Sequence, residues 1–326
     1  MRISFSDDPR DFLRRDWSEV VDADPGATFF HAPRYLKLYW EELGQDVELL
    51  LAFAEEDGRT VGAVAFERLG RTLRFLGGTE VTDYMGPVAV PGTEDRVAKE
   101  LIDAVAGLDW WTDADLRGLP EDSPWLSRLQ DAAAGEGLSS QVAEDSVAPC
   151  LHLPPTYEEY LAGLPSKLRH EIRRKARRLD GEVGRHALVL ATTETLEDDL
   201  GRFVALHRSS EGPKGKFMVP GMEIFFRRLG ETFLPEGIFR LAFLEAGGER
   251  MAGAIAFTFR ETTYLYNSAF DRGHRGLAPG MVLVADLIDR AIADGCRRFD
   301  LLKGDLAYKY RFGARPRPVK RLVLGR

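Results

Sequence analysis

The stretch of sequence that decides the fold begins with a run rich in aromatic and β-branched side chains, Thr262-Thr263-Tyr264-Leu265-Tyr266-Asn267-Ser268-Ala269-Phe270. This composition predicts a strand. A loop with glycine at positions 273, 276 and 280 follows, and apolar residues then recur at helical spacing, at Val284, Leu287, Ile288, Ala291 and Ile292. A strand, a glycine-rich turn and a helix in this order direct backbone N–H groups and the positive end of the helix dipole at one point, which suits a phosphate.

A second strand and a polar segment follow this helix. The strand is predicted over residues 297–302, and the polar segment spans residues 303–313. The polar segment contains lysine, aspartate and tyrosine side chains. Because functional residues concentrate on loops that a rigid scaffold holds in place, we expect the chemistry of the protein here.

The composition is that of an ordinary globular protein. The chain has 326 residues, of which 44% are hydrophobic and 29% charged, and this length predicts about two domains. We see neither an apolar run as long as a membrane span nor a secretory signal, and therefore expect a cytoplasmic protein. Two cysteines argue against a disulfide framework or a cysteine-based metal site. The net charge of −8 argues against DNA as a partner, although a local basic site stays open.

The same order of elements occurs twice. Leu51-Ala52-Phe53 matches Leu241-Ala242-Phe243 at an offset of 190 residues, and residues 62–66 match residues 253–257 at an offset of 191. We predict two copies of one α/β unit, each a mixed sheet with flanking helices, at residues 1–150 and 151–326. The first copy lacks the glycine-rich turn, so we expect a degenerate scaffold there and the cofactor in the second copy.

Basic residues crowd a helix predicted over residues 166–178. They are Lys167, Arg169, Arg173, Arg174, Lys175, Arg177 and Arg178. One interpretation is a solvated helix face. The other is a site for an anionic ligand, namely cofactor phosphate, an anionic acceptor or a membrane surface.

The loop at residues 209–217 contains glycine and lysine without the spacing of a P-loop. We interpret it as a flap or a substrate contact, because long loops on compact units tend to carry function. His207, just before this loop, titrates in the physiological range. A histidine that only satisfies the core or the surface is the alternative interpretation.

Three stretches resemble the GNAT acyltransferase superfamily, and in particular its double-domain branch of Fem-like and CelD-like proteins. They are residues 29–33 before an aromatic helix, the hairpin at residues 239–257, and the motifs between Ala278 and Gly313. The resemblance implies tandem GNAT-like domains, the first degenerate and the second catalytic. It also implies an N-acyltransferase that passes an acyl group, most simply acetyl, from acyl-coenzyme A directly to an amine, with no metal ion. The implied acceptor is a small molecule, a sugar, an amino acid, a peptide or a cell-envelope polysaccharide precursor.

By the same resemblance, acyl-coenzyme A would lie as co-substrate along the strand at residues 262–270 and the turn after it. The corresponding residues are Ser268, Phe270, Arg275, Gly276, Leu277, Ala278, Gly280 and Met281. Pro279 has no N–H, which leaves one donor fewer for phosphate. Fem-like relatives use aminoacyl-tRNA and carry a long helical arm, whereas the basic helix here is short. Aminoacyl-tRNA stays the alternative donor.

Acyl transfer from a thioester to an amine needs an acid for the leaving thiolate and a base for the amine. The resemblance implies that Tyr308 is the acid. Asp305 is our candidate for the base or for an acceptor-orienting carboxylate, and Lys309 for a contact to phosphate or acceptor. The alternatives are a half-buried core tyrosine and a solvated lysine.

We expect the acceptor to contact residues around this centre, namely His207, Phe217, Tyr266, Lys303 and Tyr84. A function without catalysis is also open. In that case the chain is a degenerate tandem module that binds an anionic ligand through the helix at residues 166–178.

Overall fold

The computed structural model describes residues 1–78, 80–210 and 213–326. These residues form two compact units, Met1–Val147 with Arg317–Arg326, and Ala148–Pro316. Each unit has a hydrophobic core of its own. Within the described ranges, no helix is both long and apolar enough to cross a membrane.

The first unit contains strands and helices in alternation. Its helices are α1 (Asp11–Arg14), α2 (Ser18–Ala23), α3 (Pro33–Leu43), α4 (Glu94–Ala106) and α5 (Pro124–Gly135). Its strands are β1 (Arg2–Ser6), β2 (Glu48–Glu56), β3 (Arg59–Leu69), β4 (Thr72–Phe75), β5 (Val88–Ala89), β6 (Asp113–Pro120) and β7 (Ser139–Val147). A 3₁₀ helix spans Phe29–His31.

The second unit repeats this alternation with more helix. Its helices are α6 (Tyr157–Gly163), α7 (Ser166–Val183), α8 (Leu196–Arg208), α9 (Pro213–Phe217), α10 (Pro220–Phe233) and α11 (Pro279–Ala293). Its strands are β8 (Cys150–His152), β9 (Ala187–Leu190), β10 (Phe239–Ala246), β11 (Glu249–Phe259), β12 (Thr262–Phe270) and β13 (Arg298–Asp300). Two 3₁₀ helices among the described residues matter for the site, Arg272–Leu277 and Lys309–Phe312.

The last strand of the chain, β14 (Pro318–Gly325), belongs to the first unit. It pairs antiparallel with β6 and β7. The strand buries Val319, Leu322 and Leu324, and the last two belong to the first core. The expected second unit, residues 151–326, is therefore corrected at its end, because these apolar side chains are buried in the first unit.

Both sheets are mixed. The order in the first sheet is β1-β2-β3-β4-β6-β14-β7, with β5 on β3, and in the second it is β8-β13-β12-β11-β10-β9. The strands β4 and β6 are parallel, as are β12 and β13. The predicted fold class, a mixed α/β sheet with flanking helices in two copies, is confirmed.

The two copies share an irregularity. The hairpin β2–β3 shifts register between Ala54 and Glu55, and the hairpin β10–β11 shifts between Leu244 and Glu245. These positions are separated by the offset of 190 residues found in the sequence. A bulge increases the local twist of a strand and is a fixed feature of a fold. Its recurrence at matching positions therefore supports two copies of one structure.

The helix α11 is the central helix of the second unit. Pro279 occupies its first position, where a missing N–H costs nothing. Its apolar residues, including Leu283, Leu287 and Ile288, are buried in the second core. Each such side chain contributes roughly 1.5–3 kcal/mol. The strand and helix predicted around the glycine-rich turn are confirmed as β12 and α11.

Several elements were not predicted. They are β1, β7, β8, β14 and α9, the last of which lies inside the predicted loop at residues 209–217. Glu211 and Gly212 of that loop lie outside the described residues. The strand β7 reads Ser-Ser-Gln-Val-Ala-Glu-Asp-Ser-Val and buries none of its residues fully. Pairing with β14 rather than apolar burial stabilises it, and a local sequence pattern does not reveal such pairing.

Candidate functional site

The parallel strands β12 and β13 separate soon after they pair. They are paired from Thr262 with Arg298 to Tyr264 with Asp300, where β13 ends. A register shift in β11 leaves Tyr266 as an extra residue of β12. The remaining part of β12 therefore continues without β13 beside it, and its backbone edge can bind a ligand.

A cavity of about 330 Å³ lies between the end of β12, the beginning of α11 and the 3₁₀ helix Lys309–Phe312. Its lining includes seven of the predicted site residues, Ser268, Phe270, Arg275, Ala278, Gly280, Met281 and Tyr308. Val284, Arg311 and Phe312 also line it, and sequence reasoning missed them. Val284 lies one helical turn after Met281, and Arg311 one turn after Tyr308. Helical spacing was therefore the available signal.

The first unit has a pocket of only about 20 Å³ at the same place, lined by residues that include Arg74, Phe75, Met85 and Asp115. Its strands β4 and β6 pair from Thr72 with Asp113 to Arg74 with Asp115. Beyond this point Met85 donates its N–H to the carbonyl of Gly118 at 3.0 Å and is buried. Gly118 has φ +78°, and a Cβ there would lie 3.0 Å from the Met85 side chain. This contact brings the chain at Met85 against β6, so the space left in the first unit is much smaller than the cavity of the second.

The predicted phosphate-binding turn has a different backbone from the one expected. Residues 272–277 form a 3₁₀ helix, in which N–H groups donate to carbonyls three residues earlier. The N–H groups of Gly273, His274, Ala278, Met281 and Val282 all have acceptors inside the segment from Asp271 to Ala278. The expectation of an open backbone cradle is therefore corrected, because the turn uses its own donors.

Gly276 and Leu277 do not line the cavity. Leu277 is buried in the second core, and Gly276 is exposed, with no protein atom within 4 Å of the position a Cβ would take. Gly280 does line the cavity, and a Cβ there would lie 3.3 Å from the ring of Phe270. Of the two glycines, only Gly280 would bring an added side chain into contact with other protein atoms.

Tyr308 stands at the rim of the cavity. The residue is 39% exposed, and burial of the phenol raises its pKa above the ordinary value. The hydroxyl therefore stays protonated at neutral pH and can donate a proton or a hydrogen bond.

The side chains of Lys309 and Asp305 form hydrogen bonds with residues that do not line the cavity. Lys309 is 3% exposed, and its ammonium donates to the carbonyls of Leu302 and Lys303, each at 2.8 Å. Leu302 has a left-handed backbone with φ 59°, so the ammonium fixes a strained turn. Asp305 is exposed and accepts the hydroxyl of Tyr310 at 2.6 Å, which raises the pKa of Tyr310. The burial of Lys309 corrects the expectation that it contacts phosphate or acceptor, whereas the role of Asp305 stays a prediction.

The predicted acceptor contacts of the second unit do not line the cavity. His207 is 1% exposed, and its Nε2 lies 3.1 Å from Oδ1 of Asn267. The same oxygen accepts the N–H of Ser268 at 2.8 Å. Phe217 packs its ring 5.9 Å from that of His207, and Tyr266 packs edge-on against Phe226 and Phe257. The sequence analysis did not single out Asn267 as a partner of His207. The available signal was a polar residue inside an otherwise apolar strand.

The remaining two predicted acceptor contacts, Tyr84 and Lys303, lie in different units. Tyr84 lies in the first unit, is buried, and has the guanidinium of Arg317 5.2 Å from its ring centroid. Burial corrects the expectation that Tyr84 contacts a substrate. Lys303 is partly exposed and lies three residues after the end of β13.

Two guanidinium groups give the cavity its charge. Arg275 and Arg311 both line it, and NH1 of Arg311 lies 3.7 Å from Oε1 of Glu171. Glu171 belongs to α7, which carries seven Lys or Arg residues against three Asp or Glu residues. Among the described residues, no group of three or more His, Cys, Asp or Glu side chains could hold a metal ion.

Comparison with known proteins finds a family model that matches part of the second unit. Residues 166–310 match the family model described as "Acetyltransferase (GNAT) domain". No curated protein matches the sequence.

Solved structures share the fold across almost the whole chain. The structure of FemX has a TM-score of 0.68 at 10% identity and covers 99% of this chain and 97% of its own. A conserved protein of unknown function from Bacteroides thetaiotaomicron has a TM-score of 0.66 at 13% identity, covering 99% and 100%. L-PGS from Bacillus licheniformis has a TM-score of 0.61 at 14% identity, covering 98% and 92%. At these identities the likeness concerns the fold alone.

Proposed function

We propose that the protein is an N-acyltransferase with coenzyme A thioesters as donors. The premise is that the chain belongs to the GNAT acyltransferases and has two GNAT-like units in tandem. The acyl group, most simply acetyl, passes directly to an amine of a small molecule, sugar, amino acid, peptide or cell-envelope precursor. The observation that carries the proposal is the cavity beside the separated part of β12, with Tyr308 at its rim. A cytoplasmic location, where acyl-coenzyme A is made, is part of the proposal.

The cavity fits a donor of this kind. Its volume of about 330 Å³ lies within the range of small-molecule sites, which is about 300–1,000 Å³. The edge of β12 beyond Tyr264 offers backbone groups to the amides of a pantetheine arm. Phe270, Met281 and Phe312 offer apolar contacts, and Arg275 and Arg311 offer positive charge to phosphates.

The residues of the cavity suit direct attack by the amine. Neither cysteine is among the lining residues, since Cys150 and Cys296 are buried elsewhere in the second unit. Tyr308 would protonate the leaving thiolate, because its hydroxyl keeps its proton at neutral pH. The lining includes no carboxylate or imidazole. We therefore propose that the amine gives its proton to water.

Aminoacyl-tRNA is the second candidate donor. The observation in its favour is the 3₁₀ turn, whose backbone offers few N–H groups to a pyrophosphate, together with the basic helix α7. The same two features also fit a module that only binds an anionic ligand. Binding of acetyl-coenzyme A separates the first candidate from the second, and release of the thiol from the bound thioester separates it from the binding module.

The test is a thermal-shift titration with acetyl-coenzyme A. A ligand at 100 times its dissociation constant stabilises by about 2.7 kcal/mol, so the melting temperature should rise. Ser268→Tyr fills the cavity from β12 and should abolish the shift. Thr262→Tyr, at the beginning of the same strand and outside the lining, is the control and should keep it. The absence of any shift with acetyl-, propionyl- and longer acyl-coenzyme A would rule out this donor.

A further inference from the structure

We propose that the exposed side of α7, together with apolar side chains at the mouth of the cavity, binds the surface of an anionic phospholipid membrane. The partner is a bilayer that displays phosphate-bearing headgroups of net negative charge, such as phosphatidylglycerol. This inference goes beyond the proposed function and does not depend on it, because a membrane-binding surface acts whether or not coenzyme A is the donor.

One side of α7 carries only basic charge. Ile172 and Leu179 are the buried residues of this helix. Because successive residues of an α-helix are about 100° apart, an arc of about 140° opposite Ile172 holds five Lys or Arg residues and none of the acidic residues of α7. These five are all exposed and form the basic face of α7, namely Lys167, Arg173, Arg174, Arg177 and Arg178.

The charges of the basic face repel one another. Arg173 and Arg177 are like charges four residues apart, as are Arg174 and Arg178, and this spacing destabilises a helix. Among the described residues, Arg178 is the one member of the basic face with an ion pair, to Glu182 at 2.6 Å. Solvated protein surfaces usually intersperse both signs of charge. An anionic partner removes the repulsion and adds attraction, so the basic face suits such a partner better than it suits water.

Exposed apolar side chains adjoin the basic face. Arg311 lines the cavity, and its NH1 lies 3.7 Å from Oε1 of Glu171 on α7. Phe270 and Tyr308 line the same cavity and are exposed, and Leu306, two residues before Tyr308, is 53% exposed. The interface of a membrane binds basic side chains at the headgroups and apolar side chains just below them. A nucleic acid offers phosphates but no apolar layer for Leu306, so the combination favours a membrane.

The distribution of charge fixes how the protein meets such a surface. The whole chain has a net charge of −8, whereas α7 alone has seven Lys or Arg residues against three Asp or Glu residues. An anionic bilayer therefore attracts α7 and repels the protein surface as a whole. Binding should occur in one orientation, with the basic face toward the lipid.

The experiment is cosedimentation of the full chain with vesicles in about 0.1 M salt. One set of vesicles is phosphatidylcholine alone, and the other is an equal mixture of phosphatidylcholine and phosphatidylglycerol. The test variant replaces Arg173, Arg174 and Arg177 by Gln. A control with the same change of charge replaces three arginines that are exposed on other parts of the second unit, Arg227, Arg290 and Arg297. Thermal melts establish that both variants fold.

The wild type should bind the mixed vesicles and not those of phosphatidylcholine, and salt at about 0.5 M should release it. Each basic residue near an anionic surface is worth roughly fivefold in affinity, so the test variant should bind roughly a hundredfold more weakly. The control should stay within about twofold of the wild type. Leu306→Gln should weaken binding roughly threefold or more. Leu69→Gln, at a position of the first unit that is 49% exposed, should not.

Four results would overturn the inference. They are wild-type protein that does not sediment with the mixed vesicles, an equal loss of binding in the test variant and its control, a Leu306→Gln variant that binds as the wild type does, and binding of unfractionated transfer RNA through the same three arginines without binding of vesicles. The last result would make a nucleic acid the partner of α7. Because the vesicles contain no coenzyme A, failure here leaves the proposed donor untouched, and failure of the donor to bind leaves the membrane surface untouched.

Discussion

Two tyrosines of the second unit lie two positions apart and meet different surroundings. Tyr308 lines the cavity, whereas the hydroxyl of Tyr310 donates to Asp305 outside it. Both pKa values are raised, that of Tyr308 by burial and that of Tyr310 by its hydrogen bond to the carboxylate. Of the two tyrosines, only Tyr308 is among the residues that line the cavity.

Tyr308→Phe should lower kcat by roughly 10²–10⁴-fold, the usual range for a general acid, and leave the affinity for acyl-coenzyme A nearly unchanged. The phenyl ring keeps the packing of Tyr308. Tyr310→Phe is the control and should retain kcat. Steady-state kinetics with a thiol-release readout measures both variants. A normal kcat for Tyr308→Phe would exclude it as the acid.

Lys309→Met should destabilise the fold. The change removes two hydrogen bonds from a buried ammonium to the carbonyls of Leu302 and Lys303, and leaves these acceptors buried. We expect the free energy of unfolding to fall by roughly 2–4 kcal/mol. Urea denaturation measures this, with the exposed Lys167→Met as a control. A loss as small as that of the control would return Lys309 to a role in ligand binding.

At the scale of elements, the end of α7 meets α11 through a histidine and three carboxylates. Nδ1 of His186 lies 2.5 Å from Asp180 and its Nε2 lies 3.5 Å from Asp286. Burial, opposed by His186 and reinforced by Asp289, raises the pKa of Asp286 to about 6. The folded state therefore holds the proton of Asp286 more tightly than the unfolded state does.

The stability contributed by protonated Asp286 is present at pH values below about 4 and is lost as the pH rises through about 6. Asp286→Asn should remove this dependence and raise the free energy of unfolding at pH 7 by roughly 1–2 kcal/mol. Denaturation curves between pH 4 and 8 test it. A variant that is less stable than the wild type at pH 7 would show that the charged carboxylate stabilises the junction.

Elements with a strong local pattern could be predicted, and contacts between distant segments could not. The periodic apolar residues of α11 and the two hairpins were readable in the sequence. The roles of Lys309 and Asp305 were not, because burial and hydrogen bonds to Leu302 and Tyr310 decide them. The 3₁₀ conformation of the turn also escaped, since glycine spacing alone does not determine backbone conformation.

At the scale of the whole molecule, one strand that follows the second unit in sequence belongs to the first unit. The strand β14 lies between β6 and β7 and buries Val319, Leu322 and Leu324. A contact between residues about two hundred positions apart has no signature in local sequence, so its place in the first sheet was not predicted.

Removal of residues 317–326 should destabilise the first unit and spare the second. The strands β6 and β7 lose their shared neighbour, while β10, β11 and β12 keep all their pairs. Native-state hydrogen exchange should show lost protection in β6 and β7. Equal loss of protection in β10–β12 would contradict the division into two units.

The central claim is that the donor binds in the second unit, beside β12. Hydrogen–deuterium exchange with and without acetyl-coenzyme A tests it most directly. We predict slower exchange at residues 265–280 and 303–312, since the ligand would cover the edge of β12, the turn and the 3₁₀ helix, with no change at residues 72–78 and 80–90. No change anywhere, or protection confined to the first unit, would contradict the account.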